Sequence, residues 1–220
     1  MTTPFARTAL LVTAISGAAC GNPVTDDAIE AWGGELPNVP PGEHHRPGQP
    51  CVLCHSVAGG ASPRLLLGGT IFSDQTSFLP VEGAEVVIYD AVGDDYTMKS
   101  NCIGNFYLPE GDKAPQFPLA AEIRCPTYSA DGEPLEAKKV VSMNSWISRD
   151  GSCATCHSLT GTGPSSTGWL FCNSPDELAS NPYPPVADSC PGEPPQTADG
   201  DGEGNGNGDG SGNGMAGAGQ

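Results

Sequence analysis

Two pentapeptides constrain this chain more than anything else in it: Cys51-Val52-Leu53-Cys54-His55 and Cys153-Ala154-Thr155-Cys156-His157. Both read C-x-x-C-H, the attachment pattern of a c-type haem. The spacing has a chemical reason. Thiols three positions apart lie on one side of a short turn and can form thioethers to both vinyl groups of one porphyrin. The adjacent imidazole can then reach the iron as its proximal ligand. Of the four His in the chain, His55 and His157 fill this slot. The motifs therefore predict two covalently attached haems c, bonded through Cys51, Cys54, Cys153 and Cys156.

Nine Cys in 220 residues is a high count, and its meaning depends on compartment. An exported chain uses sulfur in bridges and cofactors, whereas a cytosolic one more often binds metal. Residues 1–19 have the layout of a cleaved secretory signal, with a weakly basic start, the apolar run Ala9 to Ile15, and small residues Gly17-Ala18-Ala19. The run is too short for a membrane span, which needs roughly 20 apolar residues. Cys20 then resembles a bacterial lipoprotein cleavage site, although Gly17 stands where such sites usually have Leu. Plain cleavage, with Cys20 left free, is the alternative. With Cys20 lipidated and the motif cysteines on haem, Cys102, Cys125, Cys172 and Cys190 remain, an even number as disulfides require. The expected location is an exported lipoprotein of the outer membrane or periplasm, including the cell surface.

Residues 20–48, with clustered Pro and Gly and no sustained periodicity, read as a lipidated N-terminus and flexible tether. The tether ends in Glu43-His44-His45-Arg46-Pro47-Gly48, just before the first haem-binding segment at 49–63. A surface His pair is usually no more than two solvated imidazoles. Upstream of a haem, His44 or His45 is a candidate axial ligand, and the sequence does not rank them.

Residues 64–148 read as a small β-sandwich. Strands are expected at 65–72, 81–90, 96–100, 106–108, 117–124 and 137–143. Ala84, Val86 and Ile88 fall on one face at period two, and turn signals recur every 8–12 residues or so. The phrases Gly68-Gly69-Thr70-Ile71-Phe72, Pro80-Val81-Glu82-Gly83-Ala84 and Gly104-Asn105-Phe106 resemble the carboxypeptidase-regulatory or transthyretin-like family over about residues 66 to 125. That resemblance implies a sandwich without catalysis of its own, in a structural or adhesive role. Cys102 and Cys125 could bridge within it. Met98 reads as core filling. Met143, ten positions before Cys153, is a candidate thioether ligand for the second haem, where it would raise the reduction potential relative to a second His.

The second haem-binding segment and its loop occupy 149–192. Within it, Trp169-Leu170-Phe171-Cys172 could shield a porphyrin or form an edge strand, and Cys172 and Cys190 could clip the loop closed. Residues 193–220 are an acidic Gly/Asp/Asn-rich tail, unable to bury enough apolar area to order. Asp199, Asp201 and Glu203 mimic the start of a calcium loop, but Gly210 stands where its closing Glu belongs. The fold class expected is mainly β, a transthyretin-like or Ig-like sandwich flanked by loop-rich C-x-x-C-H segments, with a disordered tail. This layout resembles exported di-haem c-type cytochrome-like proteins of Gram-negative bacteria with an inserted transthyretin-like domain. His45-Arg46-Pro47-Gly48 before Cys51 and Gly151-Ser152 before Cys153 carry that resemblance.

A net charge of -17 argues against nucleic acid and against anionic membrane surfaces, so membrane contact is expected only through the lipid anchor. The same acidity suits a basic redox partner protein. The function expected is electron transfer without catalysis. A haem peroxidase, needing an open iron and a distal acid/base, is the enzymatic variant. The alternatives are a module in which the C-x-x-C pairs bind zinc, and a haem-bearing surface adhesion domain.

Overall fold

A computed structural model describes residues 22–33, 42–158 and 167–174, together with 177, 183 and 190. The signal segment, Cys20 and the 193–220 tail lie outside the described residues.

The fold is mainly β. A three-stranded sheet has the order β4-β1-β7 and a four-stranded sheet the order β3-β2-β5-β6. The strands are β1 (Leu65–Phe72), β2 (Glu85–Tyr89), β3 (Asp95–Lys99), β4 (Asn105–Pro109), β5 (Ala120–Tyr128), β6 (Pro134–Ser142) and β7 (Leu170–Phe171). Alternation dictates the packing. Leu67 and Ile71 on β1 and Phe106 on β4 face Val86 and Ile88 on β2 and Ile123 and Cys125 on β5 in one buried cluster. Met98 is buried in the same core, as filling.

Strand β1 is buried along nearly its whole length and on both faces. One face is the sandwich interior. The other is covered by residues 42–50, which run across it. Gly48 N–H donates to Thr70 Oγ1 at 2.7 Å, and Thr70 in turn donates to Asn105 Oδ1 at 2.7 Å. Asn105 Nδ2 donates to the His45 carbonyl at 2.9 Å, and Asn101 Nδ2 donates to that of Glu43 at 2.8 Å. Each buried polar group of this strap thus finds a partner, as burial requires.

Two expectations are corrected. Where a flexible tether was expected, residues 23–31 form a helix, α1 (Pro23–Ala31). Its start obeys helix-entry chemistry, with the Asn22 side chain accepting from Thr25 N–H, Pro23 in the first turn and Asp26 near the positive end of the dipole. It buries none of its residues, although Val24, Ala28 and Trp32 recur at helical spacing along it. Pairing of the disulfides also differs. All of Cys102, Cys125, Cys172 and Cys190 are bridged, but as Cys102–Cys190 and Cys125–Cys172, not Cys102–Cys125 and Cys172–Cys190. Cys125 points into the core from β5, and Cys172 follows β7 of the facing sheet, so their bond ties sheet to sheet. Cys102 lies in the turn between β3 and β4 and is left for Cys190.

Candidate functional site

Each motif is held by a short turn packed against β1. Cys51–Cys54 form a single turn, α2, and His55 closes it with its N–H donated to the Cys51 carbonyl at 3.0 Å. The His55 carbonyl accepts from Leu65 N–H at 2.9 Å, so the motif runs back directly into β1. Cys153–Thr155 form one 3-10 turn, entered from Ser152, which bridges to Gly68 of β1. His157 N–H donates to the Cys153 carbonyl at 2.8 Å. The turns place both thiols and the imidazole of each motif on the wall of one cavity.

The first cavity, about 360 Å³, is lined by Trp32, His45, Cys51, Cys54, His55 and Tyr107 among others. His55 is buried, and its Nδ1 donates to the Pro63 carbonyl at 2.5 Å. That bond fixes the tautomer and leaves Nε2 with the lone pair, the arrangement that outer partners give to metal-ligating His. His45 is held the same way, with its Nδ1 on the Gly42 carbonyl. The two imidazoles share the cavity with centroids 5.7 Å apart and planes inclined at 35°. Arg46, in left-handed conformation at φ 49°, turns the strap here and reaches the Gly33 carbonyl with Nη1 at 2.9 Å.

The neighbouring imidazole goes elsewhere. His44 lies 3.6 Å from Glu43 Oε1 and within 4.8 Å of the Cys102 and Cys190 sulfurs. Those sulfurs are bonded to each other, so they offer no thiolate to a metal. Of this pair it is His45 that faces His55 and lines the first cavity.

The second cavity, about 730 Å³, opens between the sheets and is lined by Ile88, Phe106, Ile123, Met143, Cys156 and His157 among others. Trp169, Leu170 and Phe171 also line it, so this segment is both edge strand and cover. His157 Nδ1 donates to the Gly168 carbonyl at 3.0 Å, with Thr167 Oγ1 at 2.9 Å. Burial pushes the pKa of His157 down, against the raising effect of the Gly168 bond, and favours the neutral imidazole that ligates. Met143, half-buried, shares this cavity with His157.

Both cavities fall in the size range of cofactor sites, roughly 300–1,000 Å³. The residues fit a haem c at each. Both cysteines and a tautomer-fixed His line each cavity, and a second donor, His45 or Met143, shares it. Fit to zinc is poorer, because a structural zinc needs its ligands gathered around one point. Among the described residues, the only cluster of potential metal ligands within 4.8 Å of one another is His44, Cys102 and Cys190; the motif residues form none.

Sequence reasoning missed the floor on which both motifs rest. A Cβ built on Gly68 would stand 3.0 Å from Cys51 Cβ, and one on Gly69 would stand 2.8 Å from Cys153 Cβ. The signal was present, since Gly in the middle of a strand marks a close approach.

No family model, curated protein or solved structure matches the chain. Among the described residues no helix is long and apolar enough to cross a membrane.

Proposed function

We propose that the chain is an exported di-haem c-type electron carrier related to the di-haem family it resembles, with its transthyretin-like sandwich as scaffold. One observation carries the proposal. In both C-x-x-C-H motifs the His donates Nδ1–H to a backbone carbonyl and shares a cavity with both motif cysteines. Cys51 and Cys54 would anchor the first porphyrin, with His55 and His45 as donors to its iron. Cys153 and Cys156 would anchor the second, with His157 and Met143 as donors.

Bound haem supplies a one-electron ferric/ferrous couple. The chain's residues do the rest. The carbonyls of Pro63, Gly42 and Gly168 orient the imidazoles and raise their basicity. The interior walls of the second cavity, from Ile88, Phe106 and Ile123, exclude water and lower the local dielectric, which tunes the potential. Cys20 would carry a lipid that holds the protein at the outer membrane or its periplasmic face. The net charge of -17 suits a basic redox partner.

A pyridine haemochrome spectrum of the chain, expressed with a cytochrome c maturation system, tests this. Two haems c per chain are expected. Zinc without colour would replace the electron carrier by a binding module, and colour without reversible reduction would leave an adhesion domain.

A further inference from the structure

The two candidate sites are not merely on one chain; they are back to back on one strand. Cys51 packs against Gly68 and Cys153 against Gly69. Successive residues of a strand face opposite sides of the sheet, so the first cysteine of each motif lies on opposite faces of β1 at adjacent positions. Neighbouring Cα atoms are about 3.8 Å apart, which puts the two cysteine Cβ atoms on the order of 10 Å from each other. The approach is fixed from both sides. Gly68 N–H donates to the Gly151 carbonyl at 3.0 Å, locking the second motif's entry onto β1. Thr70, two residues on, receives Gly48 N–H at 2.7 Å from the strap that precedes the first motif. A Cβ at Gly69 would also meet the Phe106 ring at 3.0 Å, so no side chain could be placed there without moving a cysteine or a core ring.

We propose that Gly68-Gly69 is the junction of an electronically coupled pair, the two haems being bonded through Cys51 and Cys153 to opposite faces of one strand. This rests on the di-haem reading and says what that arrangement is for. Each attachment cysteine carries one porphyrin edge, so the edges start where the cysteines meet, with a single backbone layer between them. Electron tunnelling falls steeply with separation, so a junction this short favours exchange within the pair. The step is balanced internally: the ferrous iron at one site becomes ferric as the ferric iron at the other becomes ferrous, and no proton moves. The protein then takes an electron at one face of the sheet and delivers it from the other.

The test uses the matured full chain beside its single-site forms, Cys51→Ala/Cys54→Ala and Cys153→Ala/Cys156→Ala. Circular dichroism in the Soret region of the di-haem protein is expected to show a bisignate couplet absent from the summed spectra of the single-haem forms. Microwave-power saturation of the ferric signal is expected to require several-fold higher power when both irons are ferric than when the neighbour is reduced. Additive spectra, together with saturation that ignores the neighbour's oxidation state, would overturn the coupling while leaving two carriers in place. If the single-site forms do not mature, the saturation comparison on the unaltered protein decides alone. A chain with no added haem mass fails the di-haem reading itself, a different outcome from two haems that ignore each other.

Discussion

His44 and His45 are chemically identical and adjacent, so residue identity could not choose between them. Backbone contacts turn His45 toward His55, because Asn105 and Thr70 pin the strap and Arg46 turns it. His45→Ala is therefore expected to change the axial ligation of the first haem and its ferric low-spin signal, and His44→Ala to leave both as they were. Optical and paramagnetic resonance spectra check this. Met143→His is expected to lower the potential of one haem only, since thioether ligation raises it relative to imidazole; a redox titration reads the change. Asp74 gives a pH prediction. Burial acts to raise its pKa, but hydrogen bonds from Ser77, Thr76 and Ser73 outweigh this and hold it at about 2, against an ordinary 3.8. A depressed carboxyl stabilises the fold above its unfolded value, so this contribution is present above about pH 4 and lost as pH falls toward 2. Asp74→Asn is expected to flatten the decline of thermal stability across that window.

At the scale of elements, β1 was legible end to end because its run is short, carries Gly68-Gly69 and ends in Thr70-Ile71-Phe72, features that favour a buried strand over a helix. Its neighbours were legible by alternation, with ends displaced by a few residues. Helix α1 was not, because nine residues are too short a run for the spacing of Val24, Ala28 and Trp32 to stand out among the surrounding Pro and Gly. The role of β1 as a shared floor was half-legible, since Gly68-Gly69 was noticed for its family resemblance and not for the approach it permits. That approach yields a paired prediction. Gly69→Ala forces a contact at 2.8 Å with Cys153 Cβ and Gly68→Ala one at 3.0 Å with Cys51 Cβ. The first substitution is expected to reduce haem occupancy chiefly at Cys153/Cys156, the second at Cys51/Cys54. Peptide mapping by mass separates them. Equal loss at both motifs in each variant would mean that the glycines serve only the strand.

Across the whole molecule, the long-range links follow from how the sheets stack, which spacing along the chain does not encode. Cys125–Cys172 joins facing sheets across 47 residues, and Cys102–Cys190 reaches across 88. Sequence parity identified all of these cysteines as bridged but could not pair them. Removing the inter-sheet bridge with Cys125→Ala/Cys172→Ala is expected to cost roughly 4 kcal/mol on the loop-entropy account, read as a lowered denaturation midpoint. Because the second cavity lies between those sheets, haem occupancy at Cys153/Cys156 should fall with it. The placing of one C-x-x-C-H motif inside the sandwich and the other outside it was not legible in the sequence. The most direct measurement is the intact mass of the chain after cytochrome c maturation, with digestion to locate the additions. The expected result is two haem masses, one on the peptide holding Cys51 and Cys54 and one on that holding Cys153 and Cys156. An unmodified mass under conditions that mature a control cytochrome would contradict the account.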